Sequence, residues 1–214
     1  MNLNEKIDIS AQWINECCKL IDGAQIQGNS DRERISGALL HLALEHHEAI
    51  QILVSCDQPS PPYGSAGALL RPQFEAYIRA VWLRRCAKDS EIKTLIEKDK
   101  LPKYDKVQSE LDGIIKRIEE LPAFEEKKLS STKKDVWKNM CSLTHGGMVQ
   151  MSNRVRGAEI ANNYTPEQVF EILRNACVIS LQVMVEYADL LKNNEMANDI
   201  LSTYYRLFPK QPDV

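Results

Sequence analysis

The amino-acid sequence predicts an all-α fold, a bundle of about six to eight helices, from the spacing of its apolar residues. Those residues recur at steps of three and four along most of the chain, and no alternating strand pattern is long enough to compete. Two Ser/Thr-x-x-Glu/Gln capping boxes mark helix starts. The 214 residues fit a single domain spanning 1–214, and a hydrophobic content of 43% can supply its core.

The first helix is expected from Leu3 to Ile21, with Ile7, Ile14, Cys17 and Ile21 on one side. Asp22-Gly23 and Gly28-Asn29 then interrupt it. Ser30-Asp31-Arg32-Glu33 has the form of a capping box, because the serine oxygen can accept from the N3 amide while the glutamate reaches back. The helix that follows presents Ile35, Leu39, Leu42, His46, Ile50 and Leu53 as its buried stripe and ends near Ser55. Pro59, Pro61, Pro62 and Gly64 make a rigid loop. A third helix, Ser65 to Lys88, packs Leu69, Leu70, Phe74, Ile78, Val81 and Trp82. Within it Pro72 lacks an amide donor and crowds the carbonyl of Ala68, which predicts a kink there or a helix that begins nearer Leu70.

Charged helices are expected at Glu91 to Lys98 and Lys103 to Glu120, the second with Val107, Leu111, Ile114, Ile115 and Ile118 facing inward, before Pro122 ends the region. Ser130-Ser131-Thr132 offers a cap for the helix that carries Val136, Trp137, Met140, Cys141 and Leu143 toward His145. Gly146 and Gly147 can take the left-handed conformation that closes a helix. Met148 to Tyr164 reads as a polar connection, helical in part, of a length that is often functional. Thr165-Pro166-Glu167-Gln168 is the second capping box, with proline at N1. It starts a long helix with the stripe Phe170, Leu173, Cys177, Leu181, Met184, Ala188 and Leu191. A short helix from Ala197 to Phe208 precedes the tail.

Several function classes are excluded. A net charge of −3 argues against a surface that binds nucleic acid everywhere, while leaving room for a local basic cleft. The six cysteines form no C-x-x-C pair and no zinc-like spacing with histidine, so reduced, mostly buried thiols are expected. His41, Glu45 and Glu48 share a helix face, but the repeated Glu-x-x-His unit of carboxylate-bridged metal bundles is absent, and His46 reads as a hydrogen-bonded core residue. No phosphate-binding glycine loop and no nucleophile elbow occurs, so neither metal nor cofactor is expected. No apolar run approaches the roughly 20 residues of a membrane span, and the first residues lack a signal peptide's hydrophobic segment; the expected location is the cytoplasm.

The chemical interest lies at Trp137 to Gly147. Positions 138, 141, 142 and 145 share a helix face, which places Lys138 about 10 Å of axial rise before His145. The glycine stop leaves the imidazole free to project over a helix end. The plain alternative is a histidine that caps its own helix carbonyls. Arg71, Glu75 and Arg79 recur at steps of four, as an ion-paired ladder would. Gln150 and Arg154 follow the histidine closely.

The order Lys138-Asn139, five residues, then His145 in a helical chain resembles the HEPN signature, in which an arginine, usually followed by a polar residue, precedes a histidine by four to six residues. This chain carries Lys138 where that signature has arginine, and a lysine lacks the planar fork that grips phosphate at two points. Leu69 to Tyr77 and Thr144-His145-Gly146-Gly147, with Gln150 and Arg154, resemble an uncharacterised bacterial family of helical proteins. The resemblance implies a HEPN-like bundle, frequent dimerisation, and roles in toxin-antitoxin or phage-defence systems whose active members cut RNA without metal. It implies His145 as the proton-transfer residue, Lys138 with Arg71 or Arg154 as the phosphate clamp, and Asn139 as an orienting amide, with Glu75 and Gln150 in the substrate-binding set. An RNA substrate, a second copy of the chain and an antitoxin or other protein partner are the expected partners. The alternative is a catalytically inactive interaction or nucleotide-binding module built on the same residues.

Overall fold

The computed structural model describes residues 2–26, 30–104 and 109–209. They form α1 (Leu3–Ile21), α2 (Asp31–Val54), α3 (Tyr63–Ala68), α4 (Leu70–Arg85), α5 (Asp89–Lys98), α6 (Glu110–Glu119), α7 (Lys128–Thr144), α8 (Met148–Ser152), α9 (Pro166–Leu190) and α10 (Asn194–Leu207). The fold is all-α apart from a two-residue hairpin, β1 (Val155–Arg156) against β2 (Glu159–Ile160). Gly157, at φ +62°, occupies the first of the two turn positions between the strands, as a glycine-led hairpin turn requires. The sequence reading of 148–164 anticipated helix but not this hairpin, because two-residue strands leave no periodicity to read.

Helix ends follow the local chemistry. α1 starts in a capping box of Asn2 and Glu5, and α9 starts in the expected box of Thr165 and Gln168. Ser30 caps α2 by accepting from the Glu33 amide, and its own hydroxyl donates to the Glu33 carboxylate at 2.8 Å. α6 begins at its Ser109 cap rather than at Lys103; Lys103 and Tyr104 lie in coil, and Val107 lies outside the described residues. α7 begins before the serine cluster, after Lys127 at φ +51°. Ser130 is drawn instead to Glu119, whose carboxylate accepts from both its amide and its hydroxyl and so ties the start of α7 to the end of α6.

α2 makes its most extensive contact with α4, and α9 packs against α1, α2, α4 and α10. The buried face of α2 is Ser36, Gly37, Leu40, Ala43, Leu44, His47, Ile50, Gln51 and Val54. This lies about one residue, or 100° of rotation, from the predicted stripe, and Leu42 is exposed. The apolar count misplaced the face because its centre is built of small and polar residues. At Gly37 a Cβ would clash with Ile26 Cδ1, the Tyr187 hydroxyl donates to the Gly37 carbonyl at 3.1 Å, and His47, not His46, is the core histidine.

His47 is held in a buried network across α1, α2 and α9. Its Nδ1 lies 3.0 Å from Ser180 Oγ and its Nε2 3.3 Å from Ser10 Oγ. Ser180 Oγ also accepts from Trp13 Nε1 at 2.7 Å and lies 3.0 Å from the Cys177 carbonyl. With the Ser180 proton directed to that carbonyl, Nδ1–H of a neutral imidazole donates to Ser180 and Nε2 accepts from Ser10. Burial lowers the His47 pKa to about 3. The Cys177 thiol is pushed up to about 12 by the same burial.

Charge fixes the other end of α9. Glu186, almost fully buried, accepts from Arg85 Nε and Nη2 at 3.1 Å each, and Arg84 Nη1 reaches the Glu186 carbonyl at 2.8 Å. α9 is long and apolar enough by composition to cross a membrane, yet Val169, Leu173, Ala176, Val183 and Met184 fill the bundle core. That burial, with Glu186 ion-paired, marks it as a core helix. Buried side chains from Trp13 to Leu207 form one continuous apolar cluster.

The folded state holds His47 neutral while the unfolded chain takes up a proton near pH 6.5, so stability should be complete above that pH and fall as pH drops from 6.5 toward 3. The expected slope from this one group is about 1.4 kcal/mol per pH unit inside that window. Urea midpoints measured across pH for the wild type and a His47→Gln variant check it: the difference between the two profiles should carry the slope.

Candidate functional site

The site begins with a missing amide. α3 stops at Ala68 and α4 starts at Leu70, so the expected long helix is two helices and the second starts where Pro72 predicted. Pro72 is the third residue of α4, among the first-turn positions whose amides need no partner within the helix. The Ala68 carbonyl, which a continuous helix would have bonded to residue 72, instead lies 3.1 Å from Thr144 Oγ1. The same hydroxyl lies 2.8 Å from the Met140 carbonyl in its own helix, so its single proton is shared between two acceptors. The end of α7 is therefore fastened to the α3–α4 junction.

The chain leaves α7 as expected. Gly146 takes φ +66°, and the Gly147 amide donates back to the Ser142 carbonyl at 2.7 Å, the long bond of a Schellman closure. Gly147 is also packed tightly on Ser142, whose hydroxyl accepts from the Val149 amide at 2.9 Å. His145 is the C-cap, with its own amide bonded to the Cys141 carbonyl and its imidazole exposed.

Arg71, one residue before Pro72, meets His145, the residue after Thr144. Its Nη1 contacts His145 Nε2 directly. A guanidinium has no acceptor, so Nε2 must accept and the ring proton then sits on Nδ1. The other sides of Arg71 are occupied as well. Nε donates to Glu75 Oε1 at 2.8 Å, Nη1 lies 3.6 Å from Cys141 Sγ, and the guanidinium carbon stands 4.8 Å from the centroid of the Trp137 ring. The hydrogen bond to Glu75 raises the Arg71 pKa above its ordinary value. Arg79 Nη2 reaches the other Glu75 oxygen at 3.6 Å, which completes the predicted ladder.

The remaining candidates separate. Lys138 is exposed on the α7 face that carries Cys141 and lines a groove of about 560 Å³ together with Trp137 and Cys141. Asn139, also exposed, turns to a different cavity, shared with Glu167 and Glu171 of α9, and does not join the Arg71–His145 pair. Gln150 is a fastener: its Nε2 donates to the Gly64 carbonyl at 3.1 Å and to the Leu143 carbonyl at 3.2 Å, and its Oε1 accepts from Tyr164. Arg154 sits beside Gly64, where a Cβ would stand 2.6 Å from its Nη2. Neither hydrogen-bonds to His145. Cys141, Trp137 and Thr144 are the partners that sequence reasoning did not assign. For Cys141 the signal was its i,i+4 spacing to His145.

Among the described residues no group of three His, Cys, Asp or Glu side chains is placed to hold a metal ion, and His41 pairs only with Glu45 at 3.6 Å. All six cysteines are free thiols; Cys17 and Cys177 are buried and the other four are partly exposed.

Fold and site together define a helical bundle in which a partly buried arginine meets an exposed histidine where two helix ends come together. The chain belongs to a family of unknown function, DUF6988, which matches residues 40–211 and so takes in every candidate from Arg71 to Arg154. Comparison with curated proteins and with solved structures gives no match.

Replacing Thr144 by valine keeps the shape and removes the hydroxyl that serves the Ala68 carbonyl. The expected cost is about 1 kcal/mol, with Thr144→Ser close to wild type, read as urea unfolding midpoints.

Proposed function

We propose that this protein is a metal-independent endoribonuclease related to the HEPN superfamily, acting in the cytoplasm as part of a bacterial toxin-antitoxin or phage-defence system. The observation that carries the reading is the contact between Arg71 and the exposed imidazole of His145. It supplies a proton acceptor and a phosphate-binding cation within one hydrogen bond of each other.

In this reading an incoming phosphodiester draws the Arg71 guanidinium onto its non-bridging oxygens in charge-assisted bonds. The Nε2 lone pair, no longer occupied by Arg71, takes the proton of the adjacent ribose 2′-hydroxyl. The 2′-oxygen attacks phosphorus while Arg71 stabilises the charge that gathers there, and the 5′-oxygen leaves as it gains a proton. The products are a 2′,3′-cyclic phosphate and a 5′-hydroxyl. Glu75 fixes the angle of Arg71 and stays off the substrate. One histidine must serve both proton transfers unless a second copy supplies the second, so a homodimer belongs to the proposal. The exposed apolar side chains Met148, Met151, Val155 and Ile160, which follow His145 in the chain, offer such a copy a surface. Regulation by an antitoxin partner completes it.

A second reading, a nucleotide-binding or interaction module without turnover, is favoured by one observation: Glu75 already neutralises Arg71, so the pair has a structural use without substrate. The two readings part on cleavage. Wild-type protein should cut single-stranded RNA in the presence of a chelator, leaving 2′,3′-cyclic ends. His145→Ala and Arg71→Ala should each lower the rate by about 10²-fold or more. Equal cleavage by wild type and His145→Ala overturns the proposal.

A further inference from the structure

The face of α7 that carries Cys141 and His145 continues away from the site as a line of lysines. Lys134, Lys138, Cys141 and His145 follow at steps of four, three and four, so they form one stripe about 16 Å long on the helix surface. The stripe borders the groove between α6 and α7, whose far wall is Asp112 and Ile115. Cys141 lines the groove, its sulfur is 3.6 Å from Arg71, and Arg71 contacts His145. Groove and site therefore meet at Cys141.

Charge in the groove is biased. Asp112 is consumed by an ion pair with Lys133 and by the Ser109 hydroxyl at 2.6 Å, and Lys133 lies 4.9 Å above the Trp137 ring. Lys134 and Lys138 are exposed, and among the described residues neither has a carboxylate within ion-pair distance. The adjoining flank of α7 is acidic: Asp135, one turn before Lys138, lines a cavity with Glu167 and Glu171 of α9. One helix thus separates a cationic groove from an anionic one on a chain whose net charge is −3. A polyanion meeting α7 is attracted to one side and repelled from the other.

We propose that this groove is a binding track for a single-stranded phosphodiester backbone, with Lys134 and Lys138 as successive phosphate subsites leading to the phosphate at Arg71 and His145. The proposal rests on the reading of Arg71 and His145 as the reacting centre. Lys134 and Lys138, one helical turn apart, stand in single file with Arg71 beyond Cys141, which matches one backbone rather than the two of a duplex. The lysines grip as mobile point charges, which gives affinity without base preference. Asn139, on the acidic flank, stays outside the track.

The test is binding of a fluorescein-labelled 2′-O-methyl oligonucleotide of about ten nucleotides, which the proposed chemistry cannot cut, followed by anisotropy as salt is varied. A DNA oligonucleotide of the same sequence and a blunt RNA duplex are run beside it. Wild type should bind the single strands, and the duplex more weakly. Lys134→Gln/Lys138→Gln should bind them about tenfold more weakly, with the slope of log affinity against log salt reduced by about 1.4, the loss of two single-strand phosphate contacts. Lys134→Arg/Lys138→Arg should restore both. Wild-type affinity and slope in the glutamine variant, tighter binding of the duplex, or no binding by wild type overturns the track. Lysine-dependent binding without cleavage of unmodified RNA leaves the track standing and removes the nuclease reading. Cleavage that is indifferent to both lysines does the reverse.

Discussion

Pro72 withholds the amide that would have bonded the Ala68 carbonyl, and the Thr144 hydroxyl takes its place at 3.1 Å. Neither helix end could be buried against the other without such an exchange, because a buried carbonyl without a donor costs on the order of 1–3 kcal/mol. The bond sets the register of α7 on the α3–α4 junction. Arg71 precedes Pro72 and His145 follows Thr144, so the same bond sets the two residues of the site side by side. Gln150 reinforces it from the far side of the junction by bridging the Gly64 and Leu143 carbonyls, one from each helix pair.

Arginine suits position 71 because its donors point in several directions at once. One goes to Glu75, one to His145 and Cys141, and the guanidinium carbon stands over the Trp137 ring. A lysine there would concentrate its donors at one point, without the planar fork that reaches Glu75 and His145 in fixed directions. The constraint is electrostatic as well as geometric. Glu75 offsets the guanidinium charge beside the imidazole, and α7 divides the surface around it into a cationic groove and an anionic cavity. The net charge conceals that division.

The bundle was legible because its strongest signals are local. Ser30 and Thr165 cap helices through their own side chains, and Gly146 ends α7 as its position foretold. What escaped is tertiary. The buried face of α2 is centred on Gly37, Ala43 and a neutral histidine rather than on its largest apolar residues, and Ser130 abandons a capping role because Glu119 competes for it. At the site, His145, Arg71 and Glu75 were each visible as candidates. Their convergence depends on a contact between positions 68 and 144 that no local pattern encodes. Lys138 and Asn139, adjacent in sequence, part company because 100° of helical rotation carries them to opposite charges.

The state of the His145 ring reports most directly on whether Arg71 and His145 form one unit. Long-range proton–nitrogen correlation spectra of histidine-labelled protein at neutral pH should show a His145 Nε2 without a proton and an Nδ1 that carries one, because the arginine can only donate. The pattern should change when Arg71 is replaced by glutamine. A His145 ring that carries its proton on Nε2, or that is unaffected by the loss of Arg71, would contradict the account.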